Sequence, residues 1–261
     1  MAEPLWIAKT GLDAQKNRLS TISNNLANVN TTGFKRARTI FEDLIYQNIR
    51  QAGGQSSQET ELPSGLTIGT GVKTVATQKL HQQGSILQTD NPFDIAVEGR
   101  GFFQILQPNG NISYTRNGEF QVSADGQLVN SSGYRLQPDI NIPQNALSVT
   151  IGIDGTVSVT QPGNPVPAQV GTIQLADFVN PSGLQSLGGN LLGETAASGT
   201  AIVGAPDSLS FGNLVQGSLE SSNVNVVEEL VNMIETQRAY EMNSKAISTA
   251  DQMLQYVNNN L

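Results

Sequence analysis

The chain has 261 residues, a formal net charge of −8, only 14% charged residues and no cysteine. The acidic balance argues against a nucleic-acid partner, and the lack of thiols excludes disulfides, thiol catalysis and Cys-type zinc sites. No apolar run approaches the length of a membrane span, so no membrane insertion is expected, while 38% apolar residues suffice for a folded core and the sparse charge leaves an amide- and hydroxyl-rich surface suited to packing beside copies of itself.

Leu5, Leu12, Leu19 and Leu26 fall in one column of seven, with Ala8, Gln15, Ile22 and Val29 in the companion column. This a/d seam predicts a long helix within residues 1–36. Pro4 suits its first turn. Gly11 either permits close approach of another helix or is a tolerated weak spot costing about 1 kcal/mol. Asn24, Asn25, Asn28 and Asn30 are register-fixing amides or a polar cap, and Asn30-Thr31-Thr32-Gly33 ends the helix. Phe34–Arg38 is a small basic patch, read as a solvated or acid-pairing turn. The N-terminus lacks the apolar stretch of a cleavable signal peptide, since Lys9, Asp13, Lys16 and Arg18 interrupt its Leu column. Any export is expected to spare it.

Residues 37–75 read as an extended connector. Phe41, Leu44, Ile45 and Ile49 suggest a short helix, and 51–64 is a polar loop rich in Gly, Gln, Ser and Glu, long enough to imply a role. From Gly65 the apolar period changes to two, Leu66, Ile68, Val72, Val75 and Leu80 suggesting extended structure, and residues 76–215 read as a β domain. Ile95–Val97 and Phe102–Leu106 predict strands, and Asn109-Gly110, Asn117-Gly118, Asp125-Gly126 and Asp154-Gly155 predict hairpin turns in an antiparallel β domain.

Residues 216–261 predict a second long helix. Asn225 caps it, with Glu228 in the capping-box position, and Val226, Met233, Tyr240, Ile247, Leu254 and Leu261 form its apolar column, widened by Leu230. From Asn225 to Val257 it would be about 50 Å long, too long to stand without a partner. Residues 1–38 carry six basic against two acidic side chains, and residues 220–261 six acidic against two basic. The ends therefore read as a pair; the alternative is that each packs on its own domain. The expected fold class is α+β: long N- and C-terminal helices paired as a coiled-coil-like domain, with the β domain inserted between them.

No constellation supports catalysis, metal binding or a cofactor. The one histidine, His81, has neither Cys nor an acid beside it and reads as a surface or sheet residue. Gly99-Arg100-Gly101-Phe102-Phe103 lacks the third glycine and following helix of a dinucleotide loop. Glu119 and Asp125 are explained by hairpin positions.

Asn24-Asn25-Leu26-Ala27-Asn28-Val29-Asn30-Thr31-Thr32-Gly33-Phe34-Lys35-Arg36 resembles the N-terminal signature of bacterial flagellar rod and hook axial proteins. Ser222-Asn223-Val224-Asn225-Val226-Val227-Glu228-Glu229-Leu230 and Gln237-Arg238-Ala239-Tyr240-Glu241 resemble their C-terminal signature, and Gly99–Phe103 with Tyr114–Gly118 their shared β domain. Length, Leu5–Leu12 and Leu62–Val72 resemble the distal-rod members; other rod or hook members are the alternative. The resemblance implies a non-enzymatic homo-oligomer: a helical polymer forming a drive shaft across the periplasm. It implies proximal rod proteins, hook protein and outer ring bushing as neighbours, and delivery by the flagellar type III export apparatus. The family-motif residues on this sequence are Asn24, Asn25, Asn28, Gly33, Phe34, Asn223, Asn225, Glu228 and Arg238. A rival enzyme, such as a β-domain cell-wall hydrolase, would need clustered acids or histidines. A coiled-coil adhesin would normally show a signal peptide.

Overall fold

The computed structural model describes residues 3–53, 55–57, 60–61, 63–208 and 210–259. The chain is α+β, with one long helix near each end and a β-rich region between them in sequence. It divides into two compact units. The first takes residues from Met1–Ala27, Ala37–Gln78 and Asn225–Leu261; the second takes Asn28–Arg36 and Lys79–Val224.

The first unit is built on two helices, α1 (Glu3–Ala27) and α2 (Val226–Asn259). They pack against each other. Gly11 faces Asn243, and Asn25 reaches Glu229. Moving up one helix therefore means moving down the other, so the pair is antiparallel. A Cβ on Gly11 would lie 3.0 Å from the Asn243 amide nitrogen, which settles that glycine as a point of close helix approach. Beside the helices, Ala37–Asp43 pairs with Val72–Lys79, and Gln47–Arg50 pairs with Leu66–Ile68. Thr21 and Thr39 hydroxyls meet at 2.9 Å and tie α1 to the first of these strands.

The short helix expected over Phe41–Ile49 is not formed; that stretch contributes to two strands. Its apolar spacing fits a helix, but the strands of residues 66–79 offer pairing that a single turn cannot match. The polar loop 51–64 lies partly outside the described residues. Within it, Gln55–Ser57 and Thr60–Glu61 pair as two short strands.

The second unit centres on Phe102–Leu106. One edge of this strand pairs with Ile112–Thr115. The other is shared, Arg135–Gln137 taking Gln104–Leu106 and Leu175–Ala176 taking Phe102–Phe103. Successive side chains point to opposite faces. Phe103 and Ile105 enter the main core with Phe120, Leu136, Val157, Val159 and Leu214, whereas Phe102 joins a second cluster with Tyr114 and Phe178. A three-stranded sheet of Ser148–Ile151, Thr156–Gln161 and Asn164–Thr172 completes the larger core.

Three of the four expected hairpin dipeptides turn as predicted, with Gly110, Gly126 and Gly155 at positive φ. Asn117-Gly118 does not, because its role is close approach: the Gly118 carbonyl accepts the Ile95 N–H, and a Cβ on Gly118 would lie 1.7 Å from the Ile95 oxygen.

Candidate assembly face and buried ion cluster

The start of α2 is set by Asn225. Its Oδ1 accepts the Val227 N–H at 3.0 Å and the Glu228 N–H at 3.4 Å, satisfying donors that a helix start leaves open. Glu228 and Glu229 then place negative charge in the first turn, where the helix dipole favours it.

From there α2 presents two unlike faces. A row at seven-residue spacing, Glu229, Thr236, Asn243 and Ala250, is buried or half-buried, flanked by half-buried Met233, Ile247 and Leu254. Elsewhere on the helix Val227, Leu230, Val231 and Ile234 are 70%, 43%, 51% and 51% exposed, and Val226 and Tyr240 are exposed too. On α1, Ile22 is buried, Leu5, Leu12, Leu19 and Leu26 are half-buried, and Trp6 is exposed. Val29 is half-buried in the turn that follows α1. So many bulky apolar side chains in water on one helix make this face a candidate contact surface.

The family-motif residues serve two local structures. In the first unit, the Asn25 amide Nδ2 donates to the Ala37 carbonyl and, at 3.3 Å, to Glu229 Oε2. Asn24, Glu228 and Arg238 lie on exposed helix positions. In the second, Asn28 Oδ1 accepts the Thr31 hydroxyl, and Asn223 Oδ1 accepts the Arg36 N–H at 2.7 Å while its Nδ2 donates to the carbonyls of Leu80 and Gln82. Gly33 turns with φ +68°, and a Cβ there would meet the Asn117 backbone nitrogen at 2.6 Å. Phe34 is half-buried, with the Lys79 ammonium over its ring.

Beside these residues lies a group that the sequence reading missed. Glu220 is fully buried. Its Oε1 accepts Lys35 Nζ at 2.6 Å and the Gly84 N–H at 2.8 Å, and its Oε2 accepts Arg116 Nε at 2.6 Å. Arg116 also donates to the carbonyls of Gly101, Gly99 and, at 3.0 Å, Val97; Lys35 donates to the Gln82 carbonyl. Burial pushes the Glu220 carboxyl up, but the charges of Arg116 and Lys35 and the hydrogen bonds from Lys35 and Gly84 overcome it, so its pKa lies below the ordinary carboxylate range. Lys35 thus pairs with an acid, and the three signatures (Gly33-Phe34-Lys35-Arg36, Tyr114-Thr115-Arg116-Asn117-Gly118 and Glu220 just before Ser222-Asn223) meet at one carboxylate.

His81 stands next to this cluster, packed edge-on against Phe102 at 5.6 Å. Burial first, then the positive charges of Lys35, Lys79 and Arg116, push it down to about 4, so it is a neutral packing residue at pH 7. Among the described residues there is no group of His, Asp and Glu able to hold a metal, and no helix is long and apolar enough to cross a membrane.

Three stretches of the chain match known families. Residues 5–35 match the family described as Flagella basal body rod protein. Residues 96–159 match the Flagellar hook protein FlgE/F/G D1 domain, and residues 215–260 match Flagellar basal body rod FlgEFG protein C-terminal. The flagellar basal-body rod protein FlgG of Buchnera aphidicola subsp. Schizaphis graminum is 58% identical over 98% of each chain. That of Caulobacter vibrioides is 49% identical over 97% of each, and that of Bacillus subtilis 36% identical over 98% of this chain and 97% of its own. The chain belongs to the flagellar basal-body rod protein family, in its distal-rod branch, and is a structural subunit rather than an enzyme.

Proposed function

We propose that this subunit polymerises helically through α1 and α2, paired in a coiled-coil-like manner, to build a hollow shaft that carries torque to the hook and forms part of the export channel. The interface residues are Leu5, Leu12, Leu19, Ile22, Leu26 and Val29 from the N-terminal segment and Val226, Leu230, Met233, Tyr240, Ile247 and Leu254 from α2. The shaft crosses the periplasm, meets proximal rod proteins at one end and hook protein at the other, and turns within the outer ring bushing. Subunits reach it unprocessed through the flagellar type III apparatus. The polar loop 51–64 makes a lattice contact outside the central tube.

One observation supports the assembly reading above the rest: Val227, Leu230, Val231 and Ile234 stand in water on α2 of a rod-family chain. Burial of such side chains is worth roughly 1.5–3 kcal/mol each, and a neighbouring copy repeats the gain along the polymer. Electron microscopy of the concentrated purified protein tests the reading. Straight filaments are expected; a protein that stays monomeric at high concentration and under crowding would overturn it.

A further inference from the structure

The segment from Gly212 to Ser221 threads through the β-rich unit. Gly212 N–H donates to the Arg100 carbonyl, Leu214 N–H to that of Ile153, Gly217 N–H to that of Asp94 and Ser221 N–H to that of Ser85. In the other direction, Gly33 N–H donates to the Glu220 carbonyl and Thr89 N–H to that of Gly217. Among the described residues, Asn213–Gln216 is the strand neighbour of Ile95–Glu98, and Ser218–Glu220 that of Ile86–Gln88.

Two consequences follow for a unit that lacks this segment. Ala96, opposite Val215, is buried, so its peptide group would lose ladder hydrogen bonds where water does not replace them, while Ile95 N–H stays on Gly118. Arg116 would also keep its charge in the interior without Glu220, and Lys35, already pushed down by burial, would lose the carboxylate that holds its charge; no other carboxylate pairs with either among the described residues. An unpaired buried charge is among the costliest defects a fold can hold. The seat is also shaped for this segment. A Cβ on Gly212 would lie 2.2 Å from the Glu98 carbonyl oxygen and 2.9 Å from the Gly99 Cα, both backbone atoms that cannot swing aside.

We infer that Gly212–Ser221 is the closing segment of the β-rich unit: residues 79–204 hold no stable fold until it is seated and Glu220 neutralises Lys35 and Arg116. The unit closes on the stretch of its own chain that is made last, so a partly made unit stays pliable. This rests on the unit's own geometry and stands independently of the assembly proposal.

Native-state hydrogen exchange on the full-length chain, in rising denaturant at pH 7, tests it. Amides of Phe102–Leu106, Asn213–Gln216 and Ser218–Glu220 are expected to open together in one cooperative step. Glu220→Gln and Gly212→Ala are each expected to lower protection of all three stretches by roughly 100-fold or more, with complete unfolding as the extreme. The inference is overturned if the closing segment of the wild-type chain opens at lower denaturant while Phe102–Leu106 keeps its protection. It is equally overturned if the loss in either variant stays within residues 212–221.

Discussion

Asn25 reads the backbone of Ala37 as a neighbouring strand would: its Nδ2 donates to the Ala37 carbonyl at 2.8 Å and its Oδ1 accepts the Ala37 N–H at 2.9 Å. Both groups of one peptide position are thus satisfied by a single side chain that is itself buried. An amide does this because it carries a donor and an acceptor in one plane. The pairing fixes where the chain resumes after the turn of residues 28–36.

Asn25→Ala should therefore cost more than an ordinary helix substitution. It leaves the Ala37 N–H and carbonyl without partners, a loss of roughly 2 kcal/mol or more. Asn25→Asp should be no better, since it removes the donor and sets a second carboxylate beside Glu229. Chemical denaturation read by the exchange of Ala37–Asp43 amides checks this. Unchanged protection in both variants would mean that the clamp contributes nothing.

Gly11 permits a graded test of helix approach. Alanine at this position gains about 1 kcal/mol of helix propensity, while its Cβ would stand 3.0 Å from Asn243 Nδ2. The Asn243 amide is the far end of a side chain and can turn away, so Gly11→Ala should stay within about 1 kcal/mol of the parent. Gly11→Leu cannot be accommodated by that movement and should separate the helices. Thermal melts of the two variants, followed at 222 nm, distinguish the cases: equal melts would show that α1 and α2 do not meet closely here.

His81 makes the stability of the β-rich unit depend on pH. Its folded pKa is depressed to about 4 from an unfolded value of 6.5, so the unfolded chain binds the proton more tightly. The stabilisation is present above 6.5 and is lost as pH falls toward 4. A full shift of this size corresponds to about 3 kcal/mol. The Glu220 carboxyl, also depressed, adds loss in the same direction below its ordinary value of 4.5. Denaturant midpoints measured from pH 7 to pH 4 should fall steeply in the parent chain and less steeply in His81→Phe. Parallel curves would remove His81 as the cause.

Much of the architecture was legible because it is local. The Leu column of α1, the cap at Asn225 and the turns at Gly110, Gly126 and Gly155 need only neighbours within seven residues. The strands of Ala37–Arg50 were misread because Phe41, Leu44, Ile45 and Ile49 carry helical spacing, and the partners that decide otherwise lie up to 40 residues away. Glu220 was counted as one more acid near α2, since Lys35 is 185 positions from it and Arg116 is 104. The inward row of α2 was hidden for another reason. It is Glu229, Thr236 and Asn243, polar residues that no search for an apolar stripe would choose, while Met233, Ile247 and Leu254 of the apolar column only flank it and Val226 and Tyr240 are exposed. A stripe sought by hydrophobicity passes over a packed row made of polar residues.

That division of α2 allows folding and assembly to be separated experimentally. Leu19 and Ile22 on α1 are half-buried and buried within the subunit, so a charge there would disturb both processes at once. Val231 is 51% exposed. Val231→Asp removes little burial from the single chain and puts a carboxylate in water, and surface changes of this kind usually alter stability by less than about 0.5 kcal/mol. In a polymer the same carboxylate would be driven into an apolar contact in every copy, where an unpaired charge is costly. Val231→Met keeps the apolar character and should be nearly silent. We therefore expect Val231→Asp to melt like the parent, remain soluble and form no filaments, with loss of motility in cells that carry it. The decisive pairing is the melting curve beside filament formation in the same preparation. Normal filaments from Val231→Asp would show that this face of α2 is not an assembly surface, and the interface would then have to be sought elsewhere on the chain.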